Sequence, residues 1–194
     1  MIMDKELLKC IGLKPDLSFA EQYNKFDEIL KELNAANEML NSYRQHEVDS
    51  LMKKFKQYTL DILGLDDWDI KDNISTGNGW LYLYNKNWTS KSCVHLEWSK
   101  VWIKSLYMDC TYKLVLHLEG GWNGKKEFVN ALQNTCSLIN PSKKYSTTTF
   151  YTQTCKTKIP IAKMSDAELK DFLKDVYTSK EITSIIDALN KELL

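Results

Sequence analysis

From residue 16 to residue 63 the chain has neither Gly nor Pro, and its apolar residues recur every three or four positions. Phe26, Ile29, Leu30, Leu33, Ala36, Met39, Leu40 and Tyr43 lead into Val48, Leu51, Phe55, Thr59, Ile62 and Leu63. A period of 3.6 sets such residues along one stripe of an α-helix. Gly64 is suited to end it, because glycine enters the left-handed conformation without a Cβ clash. The stretch far exceeds the ordinary helix of about 11–12 residues. Two arrangements satisfy it. One is a continuous helix that pairs with another chain as a coiled coil. The other is a helical hairpin bent near residues 41–49, where polar residues cluster. Tyr43 and Val48 nearly keep the helical phase, which favours the continuous helix.

Residues 65–78 read as a connector with four Asp, closed by the turn signal Ser75-Thr76-Gly77-Asn78-Gly79. The period then changes to two. Trp80-Leu81-Tyr82-Leu83-Tyr84 predicts a strand, and Asn85-Lys86-Asn87 a turn. Cys93-Val94-His95-Leu96-Glu97-Trp98 alternates, with Val94, Leu96 and Trp98 on one face. Residues 101–108 predict a third strand. Tyr112, Leu114, Leu116 and Leu118 form the buried face of a fourth, which Gly120-Gly121 ends. Residues 125–138 predict a short helix with Phe128, Leu132 and Cys136 inward. Residues 147–161, rich in Thr, predict one more strand. Ser165 with Glu168 three positions on is a capping box, opening a helix that runs to about Tyr177. Residues 181–194 predict a last helix with Ile182, Ile185, Ile186 and Leu189 inward. The fold class is therefore α+β. An antiparallel sheet of four to five strands packs with helices, and a long N-terminal helical element joins it. The expected division is a helical lobe, 1–64, and an α+β domain, 65–194.

An apolar fraction of 43% with 11% aromatics excludes wholesale disorder. No apolar run approaches the roughly 18 residues that span a bilayer, so no membrane contact is expected. Met1-Ile2-Met3-Asp4-Lys5-Glu6 lacks the basic region and apolar core of a secretion signal. Five Cys, without short-range pairing, fit reduced thiols in a cytoplasmic protein. The net charge of zero hides a division. Residues 86–160 carry eleven Lys against four acids, whereas the remainder carries fifteen basic residues against twenty-two acids. Lys143, Lys144, Lys156 and Lys158 have no acid between Pro141 and Pro160. Basic residues among aromatics suit an acidic protein surface or nucleic acid. Lys occurs twenty-five times and Arg once, which weighs against bidentate contacts to phosphate or guanine.

Trp80, Tyr82 and Tyr84 share one strand face. With Trp88 beside them they are either core or a binding surface for a protein, a sugar or single-stranded nucleic acid. Lys125 and Lys126 follow Gly120-Gly121-Trp122-Asn123-Gly124, a strand-to-helix context suited to an anion. The spacing and Lys-Ser/Thr ending of a Walker loop are absent. His95 and Glu97 lie on the polar side of one strand, and His117 and Glu119 on that of another. If the strands are neighbours, these groups can converge as metal ligands or as general acid and base. Ordinary cross-strand pairing with lysines accounts for the same residues. No catalytic nucleophile motif is present, and no cofactor is expected.

The order Gly79-Trp80 in a strand, Asn87-Trp88, two long strands, a Gly-rich turn, a helix, a Thr-rich strand and two closing helices covers roughly residues 20–190. It resembles the C-terminal accessory region of bacterial PD-(D/E)XK nuclease-like defence proteins. The catalytic pattern of that family is not matched. Pro15-Asp16 precedes a helix, Glu97-Trp98-Ser99-Lys100 has one residue too many between acid and base, and Glu119 is followed by Gly120-Gly121. The resemblance implies a non-catalytic recognition or assembly module from a bacterium or its phage. The expected function is a protein-interaction module, with a homodimer through residues 26–63 and a basic aromatic surface for an acidic partner. The alternatives are a nucleic-acid-binding protein, or a metal-dependent enzyme using His95, Glu97 and His117.

Overall fold

A computed structural model describes residues 18–74, 79–88, 94–99, 101, 103–119, 125–139 and 149–194. Helix α1, Phe19–Leu63, is one uninterrupted helix of 45 residues, so this stretch is a single helix and not a hairpin. Ser18 opens it with a capping box. Its hydroxyl accepts from the Glu21 amide, and the Glu21 carboxylate accepts from the Ser18 amide at 2.9 Å. Gly64, at φ 103°, closes it by donating its amide to the Leu60 carbonyl.

The chain divides into two compact units between Glu47 and Val48, inside this helix. The apolar residues of α1 accordingly form two stripes and not one. Leu40 belongs to a repeat of seven that continues as Glu47, Lys54 and Asp61, all charged. The buried residues Val48, Met52, Phe55 and Thr59 run one position later. At about 100° per residue, Val48 lies roughly 80° around the helix from Leu40.

In the unit from Val48 onward, five strands follow: β1, Trp68–Asp72; β2, Trp80–Asn85; β3, Val94–Ser99; β4, Thr111–Leu118; and β5, Thr149–Lys156. They pair in chain order, each antiparallel to the next, as a meander. Short helix α2, Ile103–Met108, joins β3 to β4, and α3, Lys125–Thr135, lies between β4 and β5. A 3-10 turn, Ile161–Lys163, leads to α4, Asp166–Tyr177, and α5, Lys180–Leu193. Ser165 and Glu168 form the expected capping box of α4, and Ser179 caps α5 by accepting from the Ile182 amide.

One sheet face is the core. Ile70, Leu81, Leu83, Val94, Leu96, Trp98, Tyr112, Leu114, Leu116 and Leu118 are buried there. The Phe55 ring meets Trp98 edge-on at 5.8 Å, and the Trp98 indole donates to the Tyr177 hydroxyl at 2.7 Å. Ile182, Ile185 and Leu189 of α5 are buried in the same cluster, while Ile186 is only partly buried. Each large apolar side chain so buried contributes about 1.5–3 kcal/mol. Ion pairs of Lys54 with Asp166 and Lys56 with Asp72 lie at the rim.

Two segments differ from the expectation. Residues 101–108 were expected as a strand, but Ile103–Met108 is helical. A short apolar run does not distinguish helix from strand, and here the Val101 amide already bonds to Gly79 outside any ladder. The expected connector contains strand β1, which its two Asp and single Lys obscure. Pairing with β2 makes it a strand: Ile70 faces Leu83 on the core side, and Asp69 faces Tyr84 on the other. The turn at residues 75–78 lies outside the described residues. Among the described residues, no helix is long and apolar enough to cross a membrane.

Candidate functional site

The face of the sheet opposite the core carries a row of rings and charges. Strand alternation places Trp80, Tyr82 and Tyr84 of β2, His95 and Glu97 of β3, and His117 of β4 on it. Register then sets neighbours: Tyr82 opposite Glu97, and His95 opposite His117. Trp80 stacks on Tyr82 at 4.7 Å, Tyr82 lies 4.8 Å from His95, and His95 lies 5.4 Å from His117. Tyr84 donates to the Asp69 carboxylate at 2.6 Å. That bond holds the Asp69 carboxyl below its ordinary range and raises the Tyr84 phenol. Lys71 sits over the Tyr84 ring at 5.2 Å. The row is half-buried, neither sealed core nor open platform.

At the centre, one oxygen of Glu97 lies 3.7 Å from His95 Nε2 and 3.4 Å from His117 Nδ1. His95 is buried, and Glu97 and His117 keep 14% and 19% of their side-chain surface. Ligating atoms of His95, His117 and Glu119 lie within 4.8 Å of one another. His117 Nε2 bonds to the Thr149 hydroxyl at 3.1 Å, while its buried Nδ1 has no hydrogen-bond partner. Burial lowers the His117 pKa, and the Glu97 charge partly opposes it. The convergence of His95, Glu97, His117 and Glu119 follows from β3 and β4 being neighbours. Asp69 and Thr149 were not foreseen. Asp69 sits in a strand with no clear periodicity, and Thr149 is one of several Thr whose register only pairing sets.

Other expected binding residues fall elsewhere. Trp88 is not a surface residue: it is 1% exposed, its indole donating to Asn190 and its ring edge-on to Trp68. Lys125 is likewise buried, its ammonium bonded to the Leu118 carbonyl and held over Phe150 at 5.4 Å, whereas Lys126 is exposed. Lys156 and Lys158 are exposed, and Lys143 and Lys144 lie outside the described residues. Cys110, Cys136 and Cys155 are free thiols. Burial pushes the Cys155 thiol up to about 11, so it is protonated and inert at neutral pH.

The second surface is on α1. Phe19, Tyr23, Phe26, Leu30, Leu33 and Leu40 are all exposed, with Phe19 at 73% and Leu33 at 59%. Their spacing alternates four and three, with Asn37 in the one polar slot between Leu33 and Leu40. That is the 3.5-residue period of a coiled-coil seam. Phe19, Phe26, Leu33 and Leu40 take the d positions; Tyr23, Leu30 and Asn37 take the a positions. Positions facing away hold Lys25, Glu28, Lys31, Glu32 and Glu38.

The fold is α+β, with a five-stranded antiparallel sheet and one long N-terminal helix. No family model, curated protein or solved structure matches the chain.

Proposed function

We propose that this protein is a non-catalytic interaction module that pairs with a second copy of itself through residues 19–43, as a parallel two-stranded coiled coil. One observation carries this: six large apolar side chains stand exposed at seam spacing on a single helix. Leaving so many in water is costly, and a seam of more than three heptads is long enough to associate. Leu at d favours two strands. A lone Asn at an a position favours a parallel register in which Asn37 meets its own copy. Residues 48–63 add nothing to that seam, since Val48, Met52, Phe55 and Thr59 are buried in the chain's own core. An assembly role is also what the resemblance to the accessory region of nuclease-like defence proteins implies.

The sheet domain is the part that engages a further partner. The exposed Lys156 and Lys158 suit an acidic protein surface, and the near-absence of Arg favours that over nucleic acid.

Light scattering tests the assembly. The expected mass is twice the 22.6 kDa of the chain. Leu33→Lys with Leu40→Lys is expected to return a monomer whose core still unfolds cooperatively. A wild-type monomer at every concentration overturns the proposal.

A further inference from the structure

The cluster on the outer face of β3 and β4 involves none of the residues of the helical seam. We propose that His95, His117, Glu97 and Glu119 bind one divalent transition-metal ion, zinc in the first place, between the two strands.

The donor set is two imidazoles and two carboxylates, with no thiolate, which suits zinc and its first-row neighbours. The strands set the spacing. His95 and His117 are directly opposite in register, so their rings come together without any loop having to order. Zinc bonds to nitrogen and oxygen of about 2.0–2.1 Å put tetrahedral ligands about 3.4 Å apart. The Glu97 oxygen is 3.4 Å from His117 Nδ1 and 3.7 Å from His95 Nε2, close to that edge length. Glu119 is exposed, follows the end of β4, and already has a carboxylate oxygen within 4.8 Å of a ring nitrogen of each histidine, so it supplies the fourth ligand.

The unpartnered nitrogen is the second observation. His117 Nδ1 is buried, makes no hydrogen bond, and faces a carboxylate oxygen. Thr149 is placed to accept a hydrogen bond from Nε2–H. In that tautomer Nδ1 presents a bare lone pair to Glu97, and two electron-rich atoms face one another out of water. A cation between them removes the repulsion and satisfies both. A metal-bound histidine usually donates its other ring N–H to an oxygen acceptor, and the Thr149 hydroxyl takes that place for His117. The surroundings are stiff. Tyr82 lies against His95, and Val115, opposite Glu97 and two residues before His117 on β4, is buried. Four protein ligands close the coordination shell, so the ion would pin β3 to β4 and not activate a substrate.

The test is calorimetric titration of chelator-treated, full-length protein with zinc, with cobalt as an optical probe of the ligand geometry. The expected result is one ion per chain, tetrahedral cobalt absorption, and a melting temperature that rises with zinc. The third histidine, His46, is exposed on α1 and supplies the control: His46→Ala is expected to bind as wild type. His95→Ala with His117→Ala is expected to abolish binding. Should that variant fail to fold, Glu119→Gln at an exposed position keeps the test open, with affinity expected to fall by more than the about 10–100-fold that loss of an outer support costs. Wild-type protein that binds no zinc, or a Glu119→Gln variant that binds it unchanged, overturns the proposal. Neither result bears on the coiled coil, which shares no residue with this site.

Discussion

The two halves of helix α1 have similar apolar content and opposite fates. Before Glu47, Phe19, Tyr23, Phe26, Leu30, Leu33 and Leu40 face solvent. After it, Val48, Met52 and Phe55 are buried. Helix propensity does not separate them, and neither half contains a breaker. The difference is which surface each stripe meets. Four spaced residues suffice for the second half because a sheet with Trp98 and Leu96 stands opposite. The first half has a longer stripe with a stricter period of 3.5, and among the described residues its side chains are exposed. Burial thus follows from the partner surface, and the residual seam is what a second chain would use.

Paired truncations test this difference most sharply. Phe55→Ala is expected to destabilise the sheet domain by about 3–5 kcal/mol, as a cavity opens beside Trp98. Phe26→Ala is expected to leave that domain within about 0.5 kcal/mol of wild type and to weaken association instead. Denaturant unfolding followed by Trp fluorescence, alongside light scattering, reads both. If Phe26→Ala lowers domain stability as much as Phe55→Ala, the two halves do not differ in the way described.

Asn37→Leu sharpens the role of the seam. Replacing the one polar a position is expected to tighten association while loosening its orientation or number. Light scattering at several concentrations, with disulfide crosslinking from a Cys placed at the helix start, measures this. Unchanged affinity and a single parallel register would mean that Asn37 does not sit in an interface.

A smaller effect is expected at Ser165→Ala, which removes the N-cap of α4 and about 1 kcal/mol of domain stability, within a range of about 0.5–2. Chemical denaturation measures it, and no change would show that Glu168 alone supports the helix start. The smallest is at Lys156→Glu with Lys158→Glu. Both side chains are exposed, so stability is expected to shift by less than about 0.5 kcal/mol. Binding to an acidic partner is expected to weaken, and more so at low salt, where the attraction is least screened. Equal binding at low salt by both proteins would remove this surface from the function.

Much of this architecture is local and therefore legible in the chain. Alternation in β3 and β4, the capping box at Ser165 and the Gly-free run ending at Gly64 each state their element through nearest neighbours. The seam period of 3.5 is equally a property of spacing, and so is its lapse into Glu47, Lys54 and Asp61. What spacing did not decide was anything that depends on a distant partner. Strand β1 exists because β2 lies beside it. The run from residue 101 is partly helix because its first amide bonds to Gly79. Trp88 and Lys125 look like surface residues in a polar context, yet Asn190 and the Leu118 carbonyl draw them inside. The two histidines are 22 positions apart, and alternation assigned each to a polar face. Only the antiparallel register of β3 on β4 set them opposite one another, because a slip of one residue would have turned one ring into the core.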